Sequence, residues 1–222
     1  MKIIILGAGQ VGSTLASLLS QEDNDVTVVD LDEKALAHLE EKDDINTVKG
    51  GCTFPTTLRT ADIKSADMVA AVTGSDEINI VACLISKVLS NKVKTIARIR
   101  ESSYLKGSTL RAIEEGVIPV DIVVSPEKLI TDHLQALIDT PGSLQVLEFG
   151  NGILNLVGVK AVNGGPLIGH ELSDLKKHMP NVDTRVAAIF RGKNPIIPQG
   201  TTVIEAGDEV FFIARKKMLK KL

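Results

Sequence analysis

Hydrophobic positions in the first half of the chain fall in short, nearly continuous runs. Ile3–Leu6, Val26–Val29, Ile45–Val48, Met68–Val72, Thr95–Ile99 and Ile118–Val124 read as buried strands. Between most of them lie stretches of helical period, such as Val11, Leu15, Leu18 and Leu19 on one face. Apolar strands separated by helices predict an α/β fold, a parallel sheet covered by helices on both faces. Such strand-helix-strand units are right-handed, and ligands gather at the carboxyl ends of their strands.

From Ser125 the pattern changes. Ser125-Pro126-Glu127 reads as a helix start, with Ser125 as N-cap and Pro126 at the first helical position. Leu129, Ile130, Leu134, Leu137 and Ile138 then recur at helical spacing, and Pro141-Gly142 stops the helix. Beyond it Leu144–Phe149, Leu154–Val162, Arg185–Phe190 and Val210–Ala214 are strand candidates, with one helix over Glu171–His178 ended by Pro180. Gly207-Asp208 suggests a hairpin turn. The expected division is a nucleotide-binding domain over 1–124, a helix over 125–140 and a small α+β domain over 141–222. The basic tail Lys216–Lys221 reads as a helix start or a solvated end.

Chemistry concentrates after the first strand. Gly7, Gly9 and Gly12 form Gly-x-Gly-x-x-Gly, a helix follows, and Asp30 ends the second apolar run. Glycines alone are weak evidence. The whole strand-loop-helix-strand unit, with a terminal acid about 20 residues on, is the dinucleotide-binding fingerprint of a Rossmann sheet. Gly7 allows the tight turn, Gly9 lets a pyrophosphate approach the backbone, and Gly12 lets the helix pack closely. The helix N-terminus, with Ala8, Gln10 and Val11 around it, offers N–H groups to phosphates. Asp30, followed by Leu31, can accept from both ribose hydroxyls and would repel a 2′-phosphate, which favours NAD or NADH over NADP.

Thr73, Gly74 and Ser75 end the fourth strand at the ligand end of the sheet, and Ser75 fits a plain N-cap equally well. Arg98 and Arg100 share one side of the fifth strand, where one could reach a phosphate or form a surface ion pair. Gly51 and Cys52 follow the third strand near the same site; the thiol fits either a redox sensor or a small half-buried residue. The four histidines show no metal-ligand spacing.

Composition removes other classes. A net charge of −3 and 3% aromatics give no basic or stacking surface for nucleic acid. No apolar run approaches the ~20 residues that span a bilayer, so no direct membrane insertion is expected. Met1-Lys2 enters a strand at once, leaving no signal-peptide n-region, and two isolated cysteines fit a reduced cytoplasm. No proton relay suggests itself: Tyr104 has Ser108, not a lysine, four residues on. A sensed nucleotide is therefore favoured over a consumed one. A small NAD-dependent oxidoreductase is the alternative.

Several segments carry a resemblance. Met1–Gly12, Val72–Asn79, Ala97–Arg100, Gly164–Gly169, Asp183–Arg191 and Glu205–Ala214 resemble the TrkA family, the NAD-binding components of bacterial Trk potassium uptake within the regulator-of-potassium-conductance group. The resemblance implies a Rossmann domain followed by a small C-terminal domain and no enzymatic turnover. It implies self-association into dimers and rings through the Ser125–Ile138 helix, on the inner face of the membrane. It also implies an integral membrane potassium channel or transporter partner of TrkH type, gated when the nucleotide changes the ring's shape. ATP or ADP, which also carry a ribose diol and phosphates, are further possible ligands. Family members carry two tandem copies of the unit and this chain holds one, which fits a truncated chain better than a single-unit relative.

Overall fold

A computed structural model of the chain describes residues 1–42, 44–150, 153–165, 168–174, 177 and 184–215. They divide into two compact units, Met1–Lys128 and Leu129–Leu222.

The first unit alternates strands β1 (Lys2–Leu6), β2 (Asp25–Asp30), β3 (Asn46–Lys49), β4 (Met68–Ala71), β5 (Lys94–Arg98) and β6 (Ile122–Val124) with helices. The helices are α1 (Gln10–Ser20), α2 (Glu33–Lys42), α3 (Pro55–Thr60), α4 (Asp76–Leu89) and α5 (Gly107–Glu114). All strand pairs are parallel, in the order β3-β2-β1-β4-β5-β6. The run Ile3–Leu6 is continuous because both faces are buried: Ile3 and Ile5 pack with Val26, Val28 and Leu36, while Ile4 and Leu6 pack with Val69, Ala71, Ala97 and Ile99. The register aligns Leu6 with Val29 and with Ala71, so the ends of the central strands open on one edge. The sixth strand is shorter than the run Ile118–Val124 because Pro119 interrupts it.

Helix α6 (Pro126–Asp139) spans the junction between the units. The second unit is an antiparallel sheet of β7 (Ser143–Phe149), β8 (Leu154–Lys160), β9 (Thr184–Arg191), β10 (Asn194–Ile196) and β11 (Glu209–Arg215), in the order β10-β9-β11-β8-β7. One face buries Val146, Val157 and Ala214 against Ala136 and Leu137 of α6, and the other buries Ile189, Ile204, Val210 and Phe212. Of the helix expected over Glu171–His178, the described part is a 3₁₀ turn, Leu172–Asp174, with Lys177; the rest, and the basic tail, lie outside the described residues.

Gly207-Asp208 turns the chain, with Gly207 at φ +92°, yet it makes no hairpin. Strand β11 pairs with β8 and β9, while Val203 and Ile204 make only isolated bridges to Glu171 and Ile168. The reason is Asp208. Its buried carboxylate accepts from Arg191 Nε and Nη2, each at 2.9 Å, and from the Glu205 N–H at 2.9 Å, tying the turn to β9. The Arg191 guanidinium holds this carboxyl below its ordinary value of 3.8. A lowered folded pKa gives stability that is complete above the ordinary value and is lost as pH falls through the folded one. Acid unfolding of wild type should therefore steepen below pH 4 in probes on the second unit, and Asp208→Asn should flatten that limb.

Candidate functional site

The carboxyl ends of β1, β2, β4 and β5 surround a cavity of about 630 Å³. The glycine loop forms its floor. Gly7 leaves β1 at φ +111°, where a side chain would be strained and would press on Thr73, 3.1 Å from an ideal Cβ. Gly12 is the tighter constraint: a Cβ there would stand 1.8 Å from the Gly7 carbonyl oxygen, so only glycine lets α1 approach β1 this closely. Gly9 differs from both. Its φ is −66° and a Cβ would meet nothing within 4 Å, so its bare side faces open cavity.

Gly9 is also the N-cap of α1, makes no side-chain cap, and the first turn contains no acid. The first N–H groups of the helix thus point at the cavity without a side-chain acceptor, carrying the helix's partial positive charge. Such an arrangement can hold an anion on backbone alone.

Asp30 closes one end. Its Oδ2 accepts from the Ala8 N–H at 2.5 Å and its Oδ1 from the Asp32 N–H at 2.8 Å. The carboxylate thus clamps the glycine loop as well as facing the cavity. Each oxygen keeps one acceptor site, enough for a ribose diol.

The opposite end is set by Asn79, fully buried on α4. Its Oδ1 accepts from the Thr73 N–H at 2.9 Å and the Thr73 hydroxyl at 2.7 Å, and its Nδ2 donates to the Arg98 carbonyl at 2.8 Å. Asn79 thereby fixes the ends of β4 and β5 together. Asp76 accepts from the Arg100 and Glu101 N–H groups at 2.9 and 2.7 Å, fixing the loop after β5. In sequence these two residues show only as helix openers; their role needs β5 beside β4.

Of the residues singled out in the sequence, Gly7, Gly9, Gln10, Val11, Asp30, Leu31, Gly51, Cys52, Thr73, Gly74 and Arg98 line the cavity. Ala8, Gly12 and Ser75 do not; they hold its walls. Ser75 caps α4, accepting from the Ile78 N–H at 3.2 Å and donating to Glu77 at 2.7 Å. The two arginines part company. Arg98 ends β5 in the cavity, with a 3.8 Å pairing to Glu127 and a buried Nε that has no partner. Arg100 lies beyond the strand, donates to the Gly74 carbonyl and pairs with Asp76 at 3.6 Å. Thr53, Phe54, Val72 and Ile78 complete the lining and were not foreseen as such.

The Cys52 thiol lies 3.6 Å from the Val29 carbonyl oxygen. Burial, and then the Asp30 charge, push its pKa to about 11. A sensing cysteine needs thiolate near neutral pH, so this environment favours the half-buried structural reading. Among the described residues no cluster of His, Cys, Asp and Glu could hold a metal ion, and no helix is long and apolar enough to cross a membrane.

The strand order, the glycine loop at the first crossover and the acid ending β2 define a nucleotide-binding Rossmann-type domain, joined to a small α+β domain. Comparison gives the family. The TrkA-N domain model matches residues 3–126 and the TrkA-C domain model residues 156–222, and the chain belongs to the TrkA family. It is 53% identical to the Trk system potassium uptake protein TrkA of Halomonas elongata, over 99% of this chain and 48% of the relative. It is 49% identical to that of Vibrio alginolyticus, over 100% of this chain and 48% of the relative. The chain therefore spans about half the length of these curated relatives. Among solved structures, the GsuK RCK domain has the same fold, with a TM-score of 0.66 and 22% identity, covering 98% of this chain and 46% of that one. The GsuK channel bound to NAD matches with a TM-score of 0.67 and 20% identity, over 98% and 38%.

Two substitutions separate the glycines. Gly12→Ala should cost about 1–3 kcal/mol in denaturant unfolding, by overpacking α1 against β1. Gly9→Ala should cost less, up to about 1 kcal/mol, because its methyl points into the cavity and only the N-cap preference for glycine over alanine is lost. Cys52 should resist alkylation at pH 8, its reaction rate climbing only toward pH 11, while an exposed cysteine peptide is modified readily under the same conditions.

Proposed function

We propose that this chain is a cytoplasmic nucleotide-sensing part of a bacterial potassium-uptake system, binding NAD or NADH and passing that state to a membrane partner. The observation that carries the reading is the uncapped N-terminus of α1 beside the open side of Gly9, with Asp30 at one end of the cavity and Arg98 at the other. A pyrophosphate would lie on the Gln10, Val11 and Gly12 N–H groups, and a ribose diol would take the remaining acceptor sites of Asp30. Arg98, whose side chain lines the opposite end of the cavity, would meet the other phosphate or the second ribose. The relatives named as Trk potassium-uptake proteins and the NAD-bound GsuK channel support the ligand and the system. ATP or ADP could occupy the same ribose and phosphate positions.

Sensing is favoured over turnover by the lining itself. Its groups able to exchange protons are Asp30, engaged by two backbone N–H groups, and Cys52, held as thiol. Neither is arranged as a general base beside a second reactant.

The output would be a population shift. Helix α6 exposes Leu129, Ile130, Leu134 and Ile138, each more than half accessible, and this face would pack on a neighbouring copy in dimers and rings beneath a TrkH-like partner. Nucleotides can alter the gate only through differential affinity for two arrangements of such an assembly. Moving a 1:99 population to 99:1 takes about 5.5 kcal/mol of discrimination.

Calorimetric titration of the chain with NADH and NADPH tests the site. Wild type should bind NADH well and NADPH much more weakly. Asp30→Asn, which removes the charge that repels a 2′-phosphate, should narrow that preference by about tenfold, near 1.4 kcal/mol. Equal affinities in wild type, or an unchanged preference in the variant, would remove Asp30 from the ribose.

A further inference from the structure

The chain contains five Phe, one Tyr and no Trp, and the aromatic side chain lining the cavity is Phe54. It is 58% exposed. Single exposed apolar residues are ordinary on protein surfaces, so exposure alone says little. Two further observations make this one different.

The first is rigidity. The Phe54 N–H donates to the Gly51 carbonyl at 3.0 Å, its carbonyl accepts from the Leu58 N–H at 3.1 Å, and Pro55 confines it to the extended conformation seen, φ −84° and ψ 123°. The ring lies against Gly51 so closely that a Cβ on that glycine would stand 2.9 Å from Cδ2 and 3.0 Å from Cε2. Gly51 is thus a seat for the ring. A side chain fixed this way loses little entropy when a ligand contacts it.

The second is position. The loop that carries Phe54 follows β3, and its Gly50 N–H donates to the Asp30 carbonyl at 2.9 Å. With β3 beside β2, Phe54 and Leu31 stand at the Asp30 end of the cavity, while Thr73, Gly74 and Arg98 stand at the other. A dinucleotide with its pyrophosphate at Gly9 and a ribose on Asp30 places the base of that ribose in this end.

Resting on the nucleotide reading above, we propose that Phe54 is the stacking platform for that base and selects a purine, adenine, over a smaller pyrimidine. The broader π-face of a purine covers more of a phenyl ring, and the backbone around Phe54 keeps the ring in place before the ligand arrives. Leu31, 70% exposed, lines the same end of the cavity from the residue after β2. Gly51 contributes indirectly, by leaving room for the ring.

The test titrates wild type, Phe54→Ala and Phe54→Leu with NADH and with the reduced dinucleotide that carries cytosine in place of adenine. Phe54→Leu keeps an apolar side chain on the Gly51 seat without the ring, so the test stands even where the alanine variant folds poorly. Wild type should prefer adenine. Both variants should bind NADH about 5- to 150-fold more weakly, the range of one base–aromatic stack, and the preference for adenine should shrink with it. Melting temperatures without ligand should match wild type in the leucine variant. Unchanged NADH affinity, or equal loss for both dinucleotides, would overturn the platform while leaving the site standing. Wild type that binds neither dinucleotide would overturn the site itself, and the platform with it.

Discussion

Everything at the nucleotide edge depends on how closely the first helix lies on the first strand. Gly12 sits against the Gly7 carbonyl with no room for a methyl group, and that contact carries the first turn of α1 over the end of the sheet. The turn has no side-chain cap and no early acid, so its free N–H groups and partial positive charge are left for an anion. Asp30 completes the arrangement from β2 by holding the Ala8 N–H. One carboxylate therefore fixes the loop and faces the cavity, which couples the shape of the site to the integrity of the sheet.

The far side of the cavity is organised differently. There, buried polar side chains replace bare backbone: Asn79 joins the ends of β4 and β5, and Asp76 holds the loop beyond β5. Such groups are stable inside a protein because their hydrogen bonds are met. They give Arg98 a fixed origin from which its side chain lines the cavity. Arg98 is thus joined through Asn79 to α4, and α4 through Asp76 to the loop that carries Arg100.

Much of this was legible in the sequence because it is local. The strand run, the three glycines and Asp30 lie within one strand-helix-strand unit, and Gly7 and Gly12 answer backbone constraints while Gly9 leaves the cavity open. What was not legible arises from neighbours distant in sequence. Asn79 looks like any polar residue opening a helix until β5 lies beside β4. Phe54 interrupts no periodicity and belongs to no motif; only the folded loop shows it seated on Gly51. Arg98 and Arg100 share a side by alternation, yet the strand ends at Arg98, and Arg100 turns to Asp76. The Gly207-Asp208 pair reads as a hairpin locally, but Arg191, far along the chain, captures Asp208 and ties the turn to β9.

The most direct measurement is an amide-resolved NMR titration of the chain with NADH. The account predicts that the largest perturbations fall on the Gly9, Gln10, Val11 and Gly12 amides, with Ala8 and Asp32 following through Asp30. Perturbations confined to the second unit, or none at the glycine loop at saturating NADH, would contradict it.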